Sequence, residues 1–338
     1  GVQGAQSSGA ALVSFNAPAF ESYGKEQSYN APVGEYAAYA YTTALNHLLA
    51  DKKHVTTIGD VTIVYWSEDG NEVCQNVFSG VAEPTIENFE IVDGVFKKLE
   101  AGKVIHIQGV EESISLEQRF FILGLAPNAA RIAVRFFYQD SFGNILRHIK
   151  EHYDRMEIVR PAKDSIQYLG VWRMLMETVN KKSRDKKPAP NMAGAIIKAF
   201  LLRNGTCDKE VLTVGLNENS KNVAYTLGRE FAVLEAVQQE ANPGINATIK
   251  DRYFNAACAT PASIFPILFK LKNSHIRKMN NKGKEIYYEK ILVELQNIIV
   301  EACEGVPSYP KRLSLEEQGI FNLGYYCQTQ KRFEKKAK

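Results

Sequence analysis

His148-Ile149-Lys150-Glu151-His152 sets two histidines and a glutamate at H-x-x-E-H spacing. On a helix, residues four apart share a face. Both imidazoles can then meet one zinc ion while the glutamate takes a proton from zinc-bound water, as in an inverted zinc-peptidase motif. Such a site needs a downstream carboxylate ligand, and Glu210, Glu218, Glu230 and Glu235 are the candidates. The plain structural alternative is a solvated helix, since Arg147, Lys150, Asp154 and Arg155 surround the histidines. The five cysteines are odd in number and far apart, which speaks against a CxxC-type zinc site and for a reducing compartment. The expectation is therefore no metal, no cofactor and no catalytic residue, with the zinc peptidase as the enzymatic alternative.

Other chemistry is sparse. Gly24-Lys25 is followed by Glu26 and lacks the upstream glycine of a phosphate-binding loop, and Gly124 opens no dinucleotide-binding pattern. Basic residues in the last third are interleaved with aromatics: Lys250 and Arg252 beside Tyr253 and Phe254, then Lys270, Lys272, Arg277 and Lys278. Cations that neutralise phosphates and rings that stack on bases together suit a single strand. Their structural alternative is a core ring beside lysines that merely solvate a bundle. Gly4–Ala10 is small and flexible, so Gln6, Ser7 and Ser8 can approach a phosphate backbone, or the segment is a linker. Lys181, Lys182, Arg184, Lys186 and Lys187 form a basic run ended by Pro188 and Pro190, an exposed loop that adds to the expected nucleic-acid contacts.

These residues need elements to hold them. The chain has 338 residues, 45% hydrophobic and 23% charged, enough for two or three domains with a true core. No signal peptide and no run long enough to cross a bilayer is visible, and the first residue is Gly1, as in a piece of a longer protein. From Leu216 onward 18 Lys and Arg face 13 Asp and Glu, a net of +5, while the remainder has 23 against 25, a net of −2. That bias suits a polyanionic partner.

Residues 1–53 read as a loop-rich segment and a helix from Glu35 to Leu49, with Tyr36, Ala40, Leu45 and Leu48 as its buried stripe. Residues 54–140 read as a small α+β domain: a hairpin of Val55–Ile58 and Val61–Trp66 about Gly59-Asp60, a helix from Thr85 to Leu99 with Thr85 as cap, a strand over Val104–Val110, and a strand pair Arg119–Leu125 and Arg131–Tyr138. Residues 141–215 read as a helical connecting region with helices Phe142–Met156, Ile166–Val179 and Met192–Leu202. Residues 216–338 read as a basic bundle of four or five antiparallel helices. In it Leu227, Phe231 and Leu234 form a stripe, Thr260 caps a helix opened by Pro261, and Ser314 with Glu317 forms a capping box. The fold class is α+β, a small antiparallel-sheet domain followed by a C-terminal α-helical bundle.

An ordered set of segments carries a resemblance. It comprises Gly4–Ala10, Ser14-Phe15-Asn16, Ser22–Gln27, Asn30–Val33, Ala40–Asn46, Asn222–Glu235, Asn242–Phe254, Ala259–Pro266 and Leu313–Tyr326. Together they resemble the C-terminal portion of the large subunit of the type I-C CRISPR surveillance complex, Cascade. The resemblance implies a non-enzymatic subunit of an RNA-guided complex, in which base pairing reads sequence and protein reads a flanking motif. It implies a bundle like a Cascade small subunit lining the displaced non-target strand. The implied partners are the guide RNA complex and its backbone subunits, target double-stranded DNA with its displaced single strand, and a helicase-nuclease, with no membrane and a cytoplasmic, prokaryotic setting. It further implies a short product from an internal start, for which the sequence offers Met192 or, through an alternative start codon, Val211, Val214 or Leu216, with Val211 or Val214 preferred after the break at Arg203–Asp208. The stretch Arg160–Leu216 departs from the family pattern by looking compressed. A stand-alone single-strand-binding protein is the other non-enzymatic alternative.

Overall fold

The computed structural model describes residues 2, 9–15, 17–106, 113–128, 131–161, 164, 166–178, 192–205, 208–302 and 309–334. The chain forms two compact units, Gly1–Glu151 with Gly170–Leu175, and His152–Leu169 with Met176–Lys338. The α+β class is as the sequence patterning predicts.

In the first unit, helix α1 (Glu35–Ala50) precedes strands β1 (Val55–Ile58) and β2 (Val61–Ser67). Helices α2 (Glu72–Ala82) and α3 (Phe89–Glu100) follow, then β3 (Ile105–His106), β4 (Ser113–Ile114), β5 (Arg119–Asn128), β6 (Arg131–Ser141) and α4 (Phe142–Met156), which belongs to this unit as far as Glu151. The main sheet has the order β1-β2-β5-β6, antiparallel throughout, and β3 pairs with β4. The β1–β2 hairpin turns at Gly59, whose φ of 62° suits a residue without Cβ. One face buries Val64, Leu125 and Ile132 against Leu45 of α1, with Leu48 and Leu49 packed beside them. The opposite face carries an aromatic chain, Tyr65–Phe78–Phe120–Phe142, with successive centroids 4.7, 5.1 and 5.1 Å apart. Alternate residues of β2 thus feed two cores, as strand geometry requires.

Several expected elements differ. The buried side of α1 is Leu45, Leu48 and Leu49, while Tyr36 and Ala40 are exposed, because only its C-terminal half meets the sheet. Helix α3 starts at Phe89: Thr85 and Asn88 close a turn on each other through Thr85 N–H to Asn88 Oδ1 (2.7 Å) and Asn88 N–H to Thr85 Oγ1 (3.2 Å). Helix α2 was not anticipated; its cap is Asn71, whose Oδ1 accepts from Val73 N–H at 2.8 Å. The strand expected over Val104–Val110 is confined to Ile105–His106 among the described residues.

After α4 come α5 (Val171–Thr178) and α6 (Met192–Asn204). The start of α5 at Val171, rather than Ile166, follows from the Gly170 carbonyl, which accepts from Arg173 and Met174 N–H. The second unit then presents α7 (Val223–Ala241), α8 (Ile249–Ala259), α9 (Pro261–Lys278), α10 (Lys282–Ala302) and α11 (Leu315–Lys331). Helix α7 is the axis, buried on all sides from Ala224 to Val237, so the Leu227–Phe231–Leu234 stripe is one side of a fully enclosed helix. Residue pairs give the directions. Glu240 with Lys284 and Glu230 with Gln296 run α10 antiparallel to α7. Arg229 with Gln328 and Gln239 with Arg332 run α11 in the same sense as α7, which corrects the all-antiparallel expectation.

That parallel crossing is closest at two glycines. A Cβ on Gly228 would collide with the carbonyl oxygen of Phe321, and one on Gly324 with the carbonyl oxygen of Tyr225. The backbones of α7 and α11 therefore touch.

Candidate nucleic-acid interface

Helix α8 is set by a capping box. Thr248 accepts from the helix backbone, and Asp251 Oδ2 accepts from Thr248 N–H at 2.7 Å. Helix α9 follows after the single residue Thr260. Its hydroxyl does not cap α9; it donates back to the Ala256 carbonyl at 3.0 Å, while Ala262 N–H is taken by the Pro310 carbonyl at 3.1 Å. The capping box of Ser314 and Glu317 forms as expected on α11, through Ser314 N–H to Glu317 Oε2 (2.7 Å) and Glu317 N–H to Ser314 Oγ (3.2 Å).

On α9 the apolar side, with Phe265 and Leu268, is buried. Lys270, Asn273, Ser274, Arg277 and Lys278 are exposed at i, i+3, i+4, i+7 and i+8, one solvent-facing stripe of three cations and two short polar side chains. Among the described residues no ion pair engages Lys270, Arg277 or Lys278. Arg277 and Lys278 also sit in the last turn, where the helix dipole favours cations; Lys270 lies two turns earlier and has no such reason. Lys272 faces the other way. It is buried, and its ammonium is held by Glu289 Oε1 at 2.7 Å. On α8, Arg252 is exposed with its guanidinium 5.2 Å from the Tyr253 ring centre. Lys250 lies over the rings of Tyr325 (4.5 Å) and Phe254 (5.4 Å). Phe254 belongs to an aromatic core with Phe231, Phe321 and Tyr325 at centroid distances of 5.3, 5.6 and 4.9 Å, so its role is packing. The structure thus groups Lys270, Arg277 and Lys278, leaves Lys250 and Arg252 exposed on the neighbouring helix, Lys250 lying against the rings of Tyr325 and Phe254, and turns Lys272 inward to Glu289. Gln6, Ser7, Ser8, Lys181, Lys182, Arg184, Lys186 and Lys187 lie outside the described residues.

The H-x-x-E-H segment lies in α4. His148 Nδ1 is 3.3 Å from the Tyr138 hydroxyl, which donates to Asp140 Oδ2 at 3.0 Å. His152 is half-buried, and burial beside Arg155 and Arg203 holds its imidazole below the usual range. Among the described residues no group of three His, Cys, Asp or Glu side chains can hold a metal ion. Cys74, Cys258 and Cys327 are buried free thiols, each pushed up to about 11 by desolvation, the reverse of an activated nucleophile.

What the sequence reasoning missed is a polar network inside α7, built in part from Glu230 and Glu235, two of the carboxylates that were candidate zinc ligands. Arg229, Glu230 and Glu235 are buried in α7. Arg229 donates from Nε to Gln328 Oε1 (3.0 Å) and from an Nη to the Glu218 carbonyl (3.0 Å). Glu235 accepts from the Tyr325 hydroxyl (2.6 Å) and from Thr248 Oγ1. Glu230 is fully enclosed, accepting from Gln296 Nε2 and, at 3.4 Å, from the Tyr309 hydroxyl, and burial pushes its carboxyl up to about 8. The available signal was three charges inside the run Gly228–Glu235, where an amphipathic pattern would place them at intervals on a wet face. These groups knit α7 to its neighbours and present nothing to a ligand.

No helix among the described residues is long and apolar enough to cross a membrane. No curated protein matches the chain. Residues 1–204 and 190–333 match the family described as CRISPR-associated protein (Cas_Csd1), and the junction of the two matches falls within the Arg160–Leu216 stretch. Together they span nearly the entire chain, and the protein belongs to the Cas_Csd1 family of CRISPR-associated proteins.

Proposed function

We propose that the chain is a non-catalytic large subunit of a type I-C RNA-guided interference complex, working in the prokaryotic cytoplasm with a guide RNA and backbone subunits. In this reading it helps recognise target DNA beside the flanking motif, steadies the displaced non-target strand and recruits the helicase-nuclease. The observation that carries the nucleic-acid role is the stripe of Lys270, Asn273, Ser274, Arg277 and Lys278 on α9. Spaced cations with short donors between them hold a phosphate backbone without reading bases, which suits the displaced strand, the one that the guide leaves unpaired.

The test is target binding by the assembled complex over a salt series. Changing Lys270, Arg277 and Lys278 together to Glu should weaken binding. It should also flatten the salt dependence by roughly 2 in slope, because each lost contact with a single strand removes about 0.7. Lys272→Glu should act through stability alone, since its ammonium serves Glu289. An unchanged affinity and slope in the triple variant would show that the stripe merely solvates the bundle.

A further inference from the structure

The first unit exposes an unusual run of aromatic surface. Within residues 20–39, Phe20, Tyr23, Tyr29, Val33, Tyr36 and Tyr39 are all exposed, Tyr23 by 98%, Tyr36 by 84%, Tyr29 by 79% and Tyr39 by 71%. Single exposed apolar side chains are ordinary, but a concentration of this kind marks an interaction surface. Tyr36 and Tyr39 are three apart on α1 and so share a face. That is the face the helix turns away from the core of Leu45, Leu48 and Leu49.

The loop before α1 is built to hold its shape. Tyr23 has φ of 56° and Gln27 φ of 46°, left-handed backbone that bulky residues adopt only when the surroundings enforce it. The enforcement is visible. Asn30 Oδ1 accepts from Ser22 N–H (3.0 Å), and its Nδ2 donates to the carbonyls of Lys25 (2.7 Å) and Gln27 (3.1 Å). Glu21 Oε1 accepts from Gln27 N–H at 3.1 Å. One asparagine and one glutamate thus clamp the loop across its waist, with Tyr23 at the tip. Strain held in place around a fully exposed ring has no use in packing, and it cuts the ordering cost of binding.

Charge selects the partner. Between residues 17 and 41 Lys25 stands against Glu21, Glu26 and Glu35, a net of −2, and Arg131, 5.4 Å over the Phe20 ring, leaves the surface acidic at −1. A surface for phosphates needs the opposite sign. Exposed tyrosines held in place are among the anchors that protein–protein hot spots favour. We infer that residues 20–39 form a preformed docking surface for another protein subunit, one offering apolar pockets for Tyr23, Tyr36 and Tyr39 with Lys or Arg at the rim facing Glu26 and Glu35. The inference rests on the reading of the chain as a subunit of a multiprotein complex.

The experiment uses the complete protein, with the guide-RNA complex assembled from its other subunits as the probe. Tyr23→Ala alters the loop tip, and Tyr36→Ala with Tyr39→Ala alters the helix independently of the loop. Each should weaken docking about tenfold or more without lowering the melting temperature of the free protein. Glu26→Lys with Glu35→Lys should weaken it too. Normal docking by both tyrosine variants would overturn the inference and leave the subunit reading standing. Tighter binding by the Glu→Lys variant, or loss of target DNA with assembly intact, would assign the surface to nucleic acid and overturn it as well. Failure of the unaltered protein to dock would remove both this inference and the subunit reading.

Discussion

Single residues carry the tightest constraints in the second unit. Gly228 and Gly324 face each other across α7 and α11, and each would drive a Cβ into a carbonyl oxygen of the opposite helix. Neither has left-handed backbone, so the requirement is close approach alone. Gly324→Ala should therefore cost roughly 3 kcal/mol or more, above the usual overpacking range because the obstacle is backbone that cannot change rotamer. Gly215→Ala, with open space around its Cβ position, is the control. Urea unfolding of the two variants decides it; equal midpoints would mean the helices can part freely. Glu230 makes a second residue-scale prediction. Its carboxyl, raised from 4.5 to about 8 by burial, binds its proton more tightly folded than unfolded. The stability it contributes is full below pH 4.5 and is lost as pH rises through about 8. Glu230→Gln keeps the hydrogen-bonding shape without the titration. The variant should match the wild type near pH 5 and exceed it near pH 9 in denaturant midpoint. Parallel pH profiles for the two proteins would contradict the assignment.

Elements were legible where local chemistry decides them. The hairpin about Gly59, the immediate passage from Ser141 into α4, and the Ser314–Glu317 box all follow from residues within a few positions of one another. On that basis Ser314→Ala should lower stability by about 1 kcal/mol, read by thermal or urea unfolding, because Glu317 N–H loses its acceptor at the exposed start of α11. A loss below a few tenths would mean water replaces the cap at no cost. Thr260 shows where local reading fails. Thr-Pro is a sound N-cap signal, yet the hydroxyl serves the helix behind it, and α9 draws its acceptor from Pro310, fifty residues on. The direction of α11 relative to α7 was equally hidden, since nothing near Gly324 in sequence announces Tyr225. The candidate cation stripe was half legible. Lys270 to Lys278 could be seen as basic and helical, but the turn that sends Lys272 inward to Glu289 is fixed by α10. The buried charges of α7 defeated pattern reading because hydrogen-bond partners on other helices offset their desolvation.

At the scale of the molecule, the second unit reaches further toward the N-terminus than a bundle beginning near Leu216. Helix α6 buries Met192, Ala195, Ala199 and Leu201. Ile197 lies against Gly319 and Gly194 against Tyr326, both on α11. The Lys198 ammonium donates to the Glu157 carbonyl, the Tyr326 hydroxyl to the Val159 carbonyl at 2.6 Å, and Val159 N–H to the Val214 carbonyl at 2.6 Å. A short product beginning at Val211 or Val214 would strip α6 and residues 157–159 from α11 together. It would bare apolar surface on the helix that crosses α7 most closely. A product beginning at Met192 also loses residues 157–159, which frees Lys198 and the Tyr326 hydroxyl to water and removes Ile158 from Gly194, but it keeps α6 on α11. Met192 is therefore a better-placed internal start than Val211 or Val214. Fragments 192–338 and 211–338 should separate clearly. The longer should unfold cooperatively, and the shorter should melt several degrees lower or without a sharp transition, since it lacks the buried apolar side chains of α6. Intact-mass analysis of material expressed from the native gene should then find a short polypeptide beginning at Met192. Equal melting of the two fragments would mean that α6 adds nothing to the bundle, and a native product beginning at Val211 or Val214 would show that the exposed face of α11 is covered by another chain.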